Sequence, residues 1–185
     1  ARLGCIVAAA LALRVVMVTL RVPDAAQVLT PLADSGDYDA LARSLLESGS
    51  FSNPEGVATA FRPPVYPLFM AVAYGLFGKG NLVAVALIQA AMDAIGALLA
   101  AVLARRVGLG KMAALVAAAI HAIYPAFVVQ TPQILSEVLA RTMLLGTSVL
   151  LLGALEGNRW KQVAAGFVLA LTVLNKSVLA ATIPG

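Results

Sequence analysis

Residues 82–104 read LVAVALIQAAMDAIGALLAAVLA, and this stretch decides the fold. A helix crosses the hydrocarbon core of a bilayer with about 20 predominantly apolar residues, a length that the stretch reaches. Four further apolar stretches of similar length lie at 3–21, 112–130, 134–155 and 160–183. The sequence therefore predicts an all-α fold, a polytopic membrane helical bundle with about five transmembrane helices.

The composition agrees with a membrane bundle, because 61% of the residues are hydrophobic and only 12% are charged. Aromatic residues make up 6%, which argues against a membrane β-barrel and its aromatic girdles. The single cysteine, Cys5, excludes a disulfide framework and a cysteine-based metal site, and we expect it to be a small buried hydrophobe. His121 is the only histidine, which excludes a multi-histidine metal site.

The net charge of +4 does not indicate nucleic-acid binding, because the basic residues lie mostly in short loops, where they set membrane topology. The stretch Val65–Phe77 is too short to span comfortably. If this stretch lies at the interface, the basic residues near the start of the chain and in the short loops fall on the inner side, which is the arrangement that membrane proteins prefer. These residues are Arg2, Arg105, Arg106, Lys111, Arg159 and Lys161. We therefore expect 22–81 to be an outer loop with interfacial helices.

This loop contains a polar and acidic segment that differs from the rest of the chain. Its apolar residues recur with helical spacing over Asp37–Ser48, which predicts an amphipathic helix lying flat on the membrane. Asp39, Arg43 and Glu47 form two successive i,i+4 pairs on its polar face. Asp34 or Ser35 is expected to cap the start and Gly49 to end the helix. Beyond it, Asn53-Pro54 and Arg62-Pro63-Pro64 favour irregular backbone.

Several loop residues have both a structural and a functional interpretation. Asp34, Asp37 and Asp39 are suited to helix capping, or to acting as a general base or cation ligand beside a lipid-borne substrate. Arg62 is either an interfacial side chain that extends towards the headgroups or a phosphate clamp.

Ionisable residues inside the apolar stretches also need partners. Glu137 either pairs with Arg141 or faces a water-filled cavity, and Lys176 requires an anion such as a phosphate or Glu137. Interhelical hydrogen bonding is the simplest account of the remaining polar groups, which are Arg14, Gln89, Asp93 and His121.

The order of these features resembles that of the GT-C membrane glycosyltransferases, namely the protein O-mannosyltransferases and lipid A aminoarabinose transferases. The resemblance rests on Asp34-x-x-x-Tyr38-x-x-Leu41-Ala42, Leu45-x-x-x-Gly49, Arg62-Pro63-Pro64-x-x-Pro67, Ser136-Glu137 and Asn175-Lys176. It extends over nearly the whole chain, and we expect 1–185 to be the N-terminal part of a longer GT-C-like transmembrane domain. Its expected divisions are span 1 at 3–21, the outer loop at 22–81 and spans 2–5 at 82–183.

The resemblance implies roles for five residues. Asp34 corresponds to the presumed catalytic base and Glu137 to a second catalytic acid. Arg62 and Lys176 correspond to basic residues that contact the donor phosphate, and Tyr38 to an aromatic residue one turn after the base. Asp37 is counted with them as substrate-binding. In the aminoarabinose transferases an acid beside the phosphate-binding base helps to hold a metal; Phe61 stands there in this chain, so a divalent metal is only a possible cofactor.

The expected function is transfer of a sugar from a polyprenyl-phosphate donor to a lipid, glycan or protein acceptor. We expect a multi-pass protein of the bacterial plasma membrane whose active site faces outward, with membrane lipid and no nucleic acid among its partners. The alternative is a secondary transporter or flippase that uses Arg14, Asp93, Glu137 and Lys176 as an intramembrane charge path. A purely structural membrane subunit is a third possibility, and it leaves the acidic cluster unexplained.

Overall fold

The computed structural model describes residues 1–22, 33–53, 55–155, 157 and 159–176. Within these ranges the regular structure is helical, apart from one isolated antiparallel bridge between Ser52 and Ala58. The helices are α1 Arg2–Arg21, α2 Ala33–Ser48, α3 Val65–Phe77, α4 Leu82–Arg106, α5 Lys111–Ile123, α6 Pro125–Gln130, α7 Glu137–Ala154 and α8 Arg159–Asn175. The predicted all-α membrane bundle is confirmed.

Helix α4 is the central element, and it packs against α1, α5 and α7, while α7 also packs against α8. By length and apolar composition, α1, α4 and α7 are the described helices that could cross a membrane. Helices α2 and α3 pack on each other, and α3 also contacts the start of α4 and the end of α8. We call this side, where residues 33–53 and 55–81 lie, the loop end of the bundle.

The expected span 112–130 is not one helix, since it divides into α5 and α6 at Tyr124-Pro125. Proline has no backbone N–H and disfavours helical backbone in the residue before it, and Tyr124 is extended at φ −60° and ψ 118°. Of the stretch 160–183, residues Arg159–Asn175 form α8, and 177–183 lie outside the described residues. The expected span 134–155 begins as helix only at Glu137.

The predicted amphipathic helix is present as part of α2, and it ends at Gly49, where φ is +68°. Capping by Asp34 or Ser35 was a wrong prediction, because the helix starts at Ala33 and both residues lie inside its first turn. The expectation that the apolar face of this helix lies in the membrane boundary was also wrong. Tyr38 and Ala42 on the apolar face are 5% and 0% exposed, because they pack against α3 and not against the membrane surface.

Polar contacts fix α2 on α3. Asp39 accepts a hydrogen bond from the Tyr74 hydroxyl, and it pairs with Arg43 at 2.8 Å, which confirms the first predicted i,i+4 pair. Burial, together with this hydrogen bond to Asp39, raises the pKa of Tyr74 far above its ordinary value. The second predicted pair is not formed; Glu47 pairs with Lys79 instead.

A buried charge cluster joins four helices, and we call Arg14, Asp93, His121 and Arg141 the membrane charge cluster. Arg14 and Asp93 are both 0% exposed and form an ion pair. Arg141 donates to Asp93 Oδ1 from Nη2 at 2.7 Å, and His121 donates from Nε2 to the Asp93 carbonyl at 3.1 Å. The expected interhelical bonding is therefore present. Arg141 does not pair with Glu137, so that interpretation was wrong.

Cys5 is exposed on α1, which contradicts the expectation that it is buried. It lies on a helix whose apolar surface faces outward over most of its length, and in a membrane such a surface contacts lipid.

The packing of α4 on α5 depends on Gly96. A Cβ at this position would lie 2.7 Å from His121 Nε2, and His121 is held by Asp93 and by the Phe127 ring at 4.9 Å. Gly96→Ala is therefore expected to lower the free energy of unfolding by about 1–3 kcal/mol through overpacking. Thermal unfolding of the purified protein in detergent measures the effect.

Gly166→Ala in α8 is the matched control, since a Cβ there meets nothing within 4 Å. Alanine is favoured over glycine in a helix by about 1 kcal/mol, so this variant is expected to be as stable as the parent or more so. Equal stability of the two variants would contradict the packing argument.

Candidate active site

Arg62 is the centre of a cluster at the loop end. It precedes Pro63 and Pro64, and the second proline is the N-cap residue of α3, so the backbone that carries Arg62 is anchored to that helix. The guanidinium Nη2 lies 2.6 Å from Asp34 Oδ1 and 2.8 Å from Asp37 Oδ2. Nε also donates to Asp37 Oδ2, at 3.0 Å.

Helix α2 provides three of the partners of Arg62 from a single face. Asp34, Asp37 and Tyr38 have i, i+3, i+4 spacing, which places them side by side on one turn. The Tyr38 ring centroid lies 5.7 Å from the Arg62 guanidinium carbon, and the Phe61 centroid lies 4.7 Å from it. We call Asp34, Asp37, Tyr38 and Arg62 the acid–arginine cluster.

The two carboxylates favour the charged form of Arg62. Partial burial alone would lower its pKa, but the hydrogen bond to Asp37 and the charges of Asp34 and Asp37 outweigh burial, so the pKa of Arg62 is raised. The formal charge of the cluster is negative, because two carboxylates face one guanidinium.

A second ion pair lies where α7 begins and α8 ends. Lys176 Nζ is 2.6 Å from Glu137 Oε1, so the structure supplies the acid that the sequence required for this lysine. Asn175 donates from Nδ2 to the Ser136 carbonyl at 3.1 Å, which ties the two helix ends together. Glu137 Oε2 and Asn175 Oδ1 are buried and have no hydrogen-bond partner among the described residues.

Tyr66 and Gln89 connect these two groups, and the sequence analysis missed this role of Tyr66. The Tyr66 ring packs edge-on against Tyr38 with centroids 4.8 Å apart, and its hydroxyl donates to Gln89 Oε1 at 2.6 Å. Burial raises the pKa of the Tyr66 phenol. The available signal was a tyrosine two residues after Arg62-Pro63-Pro64, at the start of an apolar segment.

The amide of Gln89 continues the connection to the segment before α7. Its Nε2 donates to the carbonyls of Thr131 and Gln133 at 2.9 and 2.8 Å. Gln89 therefore fixes the chain that leads into Glu137. Among the described residues, the acid–arginine cluster and the Glu137–Lys176 pair form no direct hydrogen bond or ion pair with each other.

Two cavities share Thr59, Phe61 and Arg62 as a common wall. One has a volume of about 380 Å³ and runs from Arg62 to Val173 and Leu174 in the last turn of α8; most of its other lining residues are apolar. The other has a volume of about 290 Å³ and is more polar, with Asp37, Asn53 and Thr59 in its wall. Arg62 thus stands between an apolar space and a polar space.

The donor set for a metal is incomplete in the part of the chain that the structure describes, where no three His, Cys, Asp or Glu side chains are grouped. Asp34 and Asp37 both face Arg62, and a guanidinium occupies the position that a cation would take between them. These residues do not fit a divalent metal, so no chemical step is derived through one.

The Tyr66 hydroxyl can be tested by its removal. Tyr66→Phe leaves Gln89 Oε1 buried without its donor, which is expected to cost about 1–3 kcal/mol of unfolding free energy. Tyr124→Phe is the control, because Tyr124 is 47% exposed and its ring contact with Phe127 does not need the hydroxyl. Thermal unfolding in detergent compares the two, and an unchanged midpoint for Tyr66→Phe would contradict the assigned bond.

One comparison with known proteins identifies a family. The family model described as dolichyl-phosphate-mannose-protein mannosyltransferase matches residues 61–185, which is well over half of the chain. The matched region contains Arg62, Glu137 and Lys176, whereas the residues contributed by α2 precede it. No curated protein and no solved structure matches the chain significantly. The chain therefore belongs to the dolichyl-phosphate-mannose-protein mannosyltransferase family and is an integral membrane glycosyltransferase of the GT-C type.

Proposed function

We propose that this protein transfers a sugar from a polyprenyl-phosphate donor to a hydroxyl group of a lipid, glycan or protein acceptor. The transfer takes place at the outer face of the membrane in which the protein lies. The family description names a dolichyl-phosphate sugar, which belongs to this donor class. The observation that carries the proposal is the meeting of Asp34 and Arg62 at 2.6 Å, because transfer from a lipid phosphate requires a base and a phosphate-binding cation side by side.

The reaction is a single displacement at the anomeric carbon. The acceptor oxygen forms the new bond to that carbon while the carbon–oxygen bond to the phosphate breaks, and the lipid phosphate leaves with the electron pair. Asp34 takes the proton of the acceptor hydroxyl, and the configuration of the sugar is inverted. General base catalysis of this kind contributes about 10²–10⁴-fold to the rate.

Arg62 and Lys176 stabilise the negative charge that grows on the leaving phosphate. Arg62 is suited to this role because its planar guanidinium offers two parallel donors, and Tyr38 and Phe61 hold its plane. Glu137 orients Lys176 and the acceptor from the far side of Tyr66. Tyr38 and Asp37 complete the substrate-binding wall.

The apolar and polar cavities fit the two parts of such a donor. The space between Arg62 and the end of α8 is lined by side chains such as Phe51, Pro64 and Leu174, which suit isoprenoid units. The polar space beside Asn53 and Thr59 suits hydroxyl-bearing groups. Outward orientation rests on the basic residues of the short loops, which favour the side opposite the loop end as the inner side.

A transporter or flippase is the second function considered. Its charge path would use Arg14, Asp93, Glu137 and Lys176, which instead form two separate ion pairs, each joining helices of the bundle. Family membership also favours the transferase.

The first test of this function replaces the base. Asp34→Asn keeps the shape and a hydrogen bond to Arg62 but cannot accept the proton, so transfer is expected to fall by about 10²-fold or more. The assay supplies defined polyprenyl-phosphate sugars and acceptors to the purified full-length protein in lipid. Glu55→Gln is the control, since Glu55 is an exposed acid of the same loop. Near-normal transfer by Asp34→Asn would remove Asp34 from the mechanism.

The second test concerns the leaving phosphate. Arg62→Gln removes the charge and is expected to lower kcat about 10²-fold, as the loss of one stabilising donor does in other acyl- and group-transfer sites. Arg62→Lys keeps the charge but lacks the planar fork, so its kcat is expected to lie between those of the parent protein and Arg62→Gln. Lys79→Gln removes an exposed cation that pairs with Glu47 and is expected to retain full activity. Equal activity of Arg62→Gln and Lys79→Gln would contradict the phosphate role.

A further inference from the structure

The proposed phosphate-binding group is already occupied in the structure. Asp37 Oδ2 accepts from both Nε and Nη2 of Arg62, at 3.0 and 2.8 Å, and Asp34 accepts from the same Nη2. The Nε–Nη2 edge of a guanidinium is one of those through which it binds an anionic oxygen pair. A phosphate that uses this edge must therefore displace a carboxylate.

The acids can move more easily than the arginine. The side chains of Asp34 and Asp37 are 51% and 47% exposed, whereas that of Arg62 is 19% exposed. Rings pack on the guanidinium and prolines follow it in the chain, so Arg62 is held in place. Displacement by an incoming anion then moves a carboxylate away from a fixed guanidinium.

We propose that Asp37 is an internal competitor of the donor phosphate for Arg62 and thereby sets the affinity for the donor. This inference rests on the proposed function. Asp37, and not Asp34, is the residue displaced, because Asp37 holds the Nε–Nη2 edge and also lines the polar cavity of about 290 Å³, into which its carboxylate turns. Asp34 remains beside Nη2, where the base is needed.

The competition has a consequence for the order of binding. Until a phosphate arrives, the carboxylate of Asp37 is held on Arg62. Once the phosphate has replaced it, a free carboxylate faces Asn53 and Thr59 in the polar cavity, where it can accept a hydrogen bond from a hydroxyl. The donor therefore binds before the acceptor, and the empty enzyme presents no free acid at this point.

The test measures binding of a polyprenyl phosphate without sugar to the purified full-length protein in lipid nanodiscs. Asp37→Asn removes the competing charge, and the dissociation constant is expected to fall about two- to fivefold, the range that an exposed ion pair supplies. Glu47→Gln is the control, because Glu47 lies on the same helix, is 51% exposed and pairs with a lysine. It removes the same charge and is expected to leave the dissociation constant unchanged.

A double variant separates competition from general repulsion of an anion. In an Arg62→Gln background the phosphate is held by Lys176 and the apolar cavity alone, so Asp37→Asn is expected to have no further effect on the dissociation constant. Tightening that persists without Arg62, or no tightening in the single variant, would overturn the inference. Failure of the inference leaves the transferase intact if the unaltered protein binds the polyprenyl phosphate; absence of binding by that protein would overturn both.

Discussion

The pairing of buried Asp93 with two arginines is the interaction on which the rest of the structure depends. A carboxylate at membrane depth is tolerated only with partners, and removing one partner of such a group typically costs about 3–5 kcal/mol. Arg14 joins α1 to α4, and it also donates to the carbonyls of His121 and Ala122 at the end of α5. Arg141 adds α7 and, through Gln130 at 3.0 Å, the short helix α6. Asp93 and its two arginine partners thus fix the positions of five helices relative to one another.

This cluster positions the candidate site through two neighbouring side chains. Helices α4 and α7 run in the same direction from the loop end. Gln89 lies one turn, about 6 Å, before Asp93 in α4, and Glu137 lies the same distance before Arg141 in α7. Gln89 holds Tyr66 and the segment before α7, and Glu137 holds Lys176. Glu137 and Lys176 of the candidate site therefore lie at helix ends, and the membrane charge cluster lies one turn deeper.

The sequence predicted the helical bundle and the amphipathic character of α2, because apolar periodicity is a local property that burial imposes on each helix. It also named an acid as a suitable partner for Lys176. It could not predict that Asp93 pairs with Arg14 and Arg141, which are separated from it by 79 and 48 positions in the sequence. Sequence spacing carries no signal for contacts between distant helices. The packing of α2 on α3 was missed for the same reason: an apolar helical face fits a lipid surface and a neighbouring helix equally well.

Helix α3 joins the acid–arginine cluster to an exposed apolar surface. Its residues Leu68, Val72 and Leu76 follow one another at i, i+4 and i+8 and are 47%, 62% and 71% exposed, so they form an apolar row on the surface of the protein. On its other side α3 carries α2 and with it the acid–arginine cluster. A displacement of α3 would therefore carry α2 with it and change the position of Asp34 relative to Glu137.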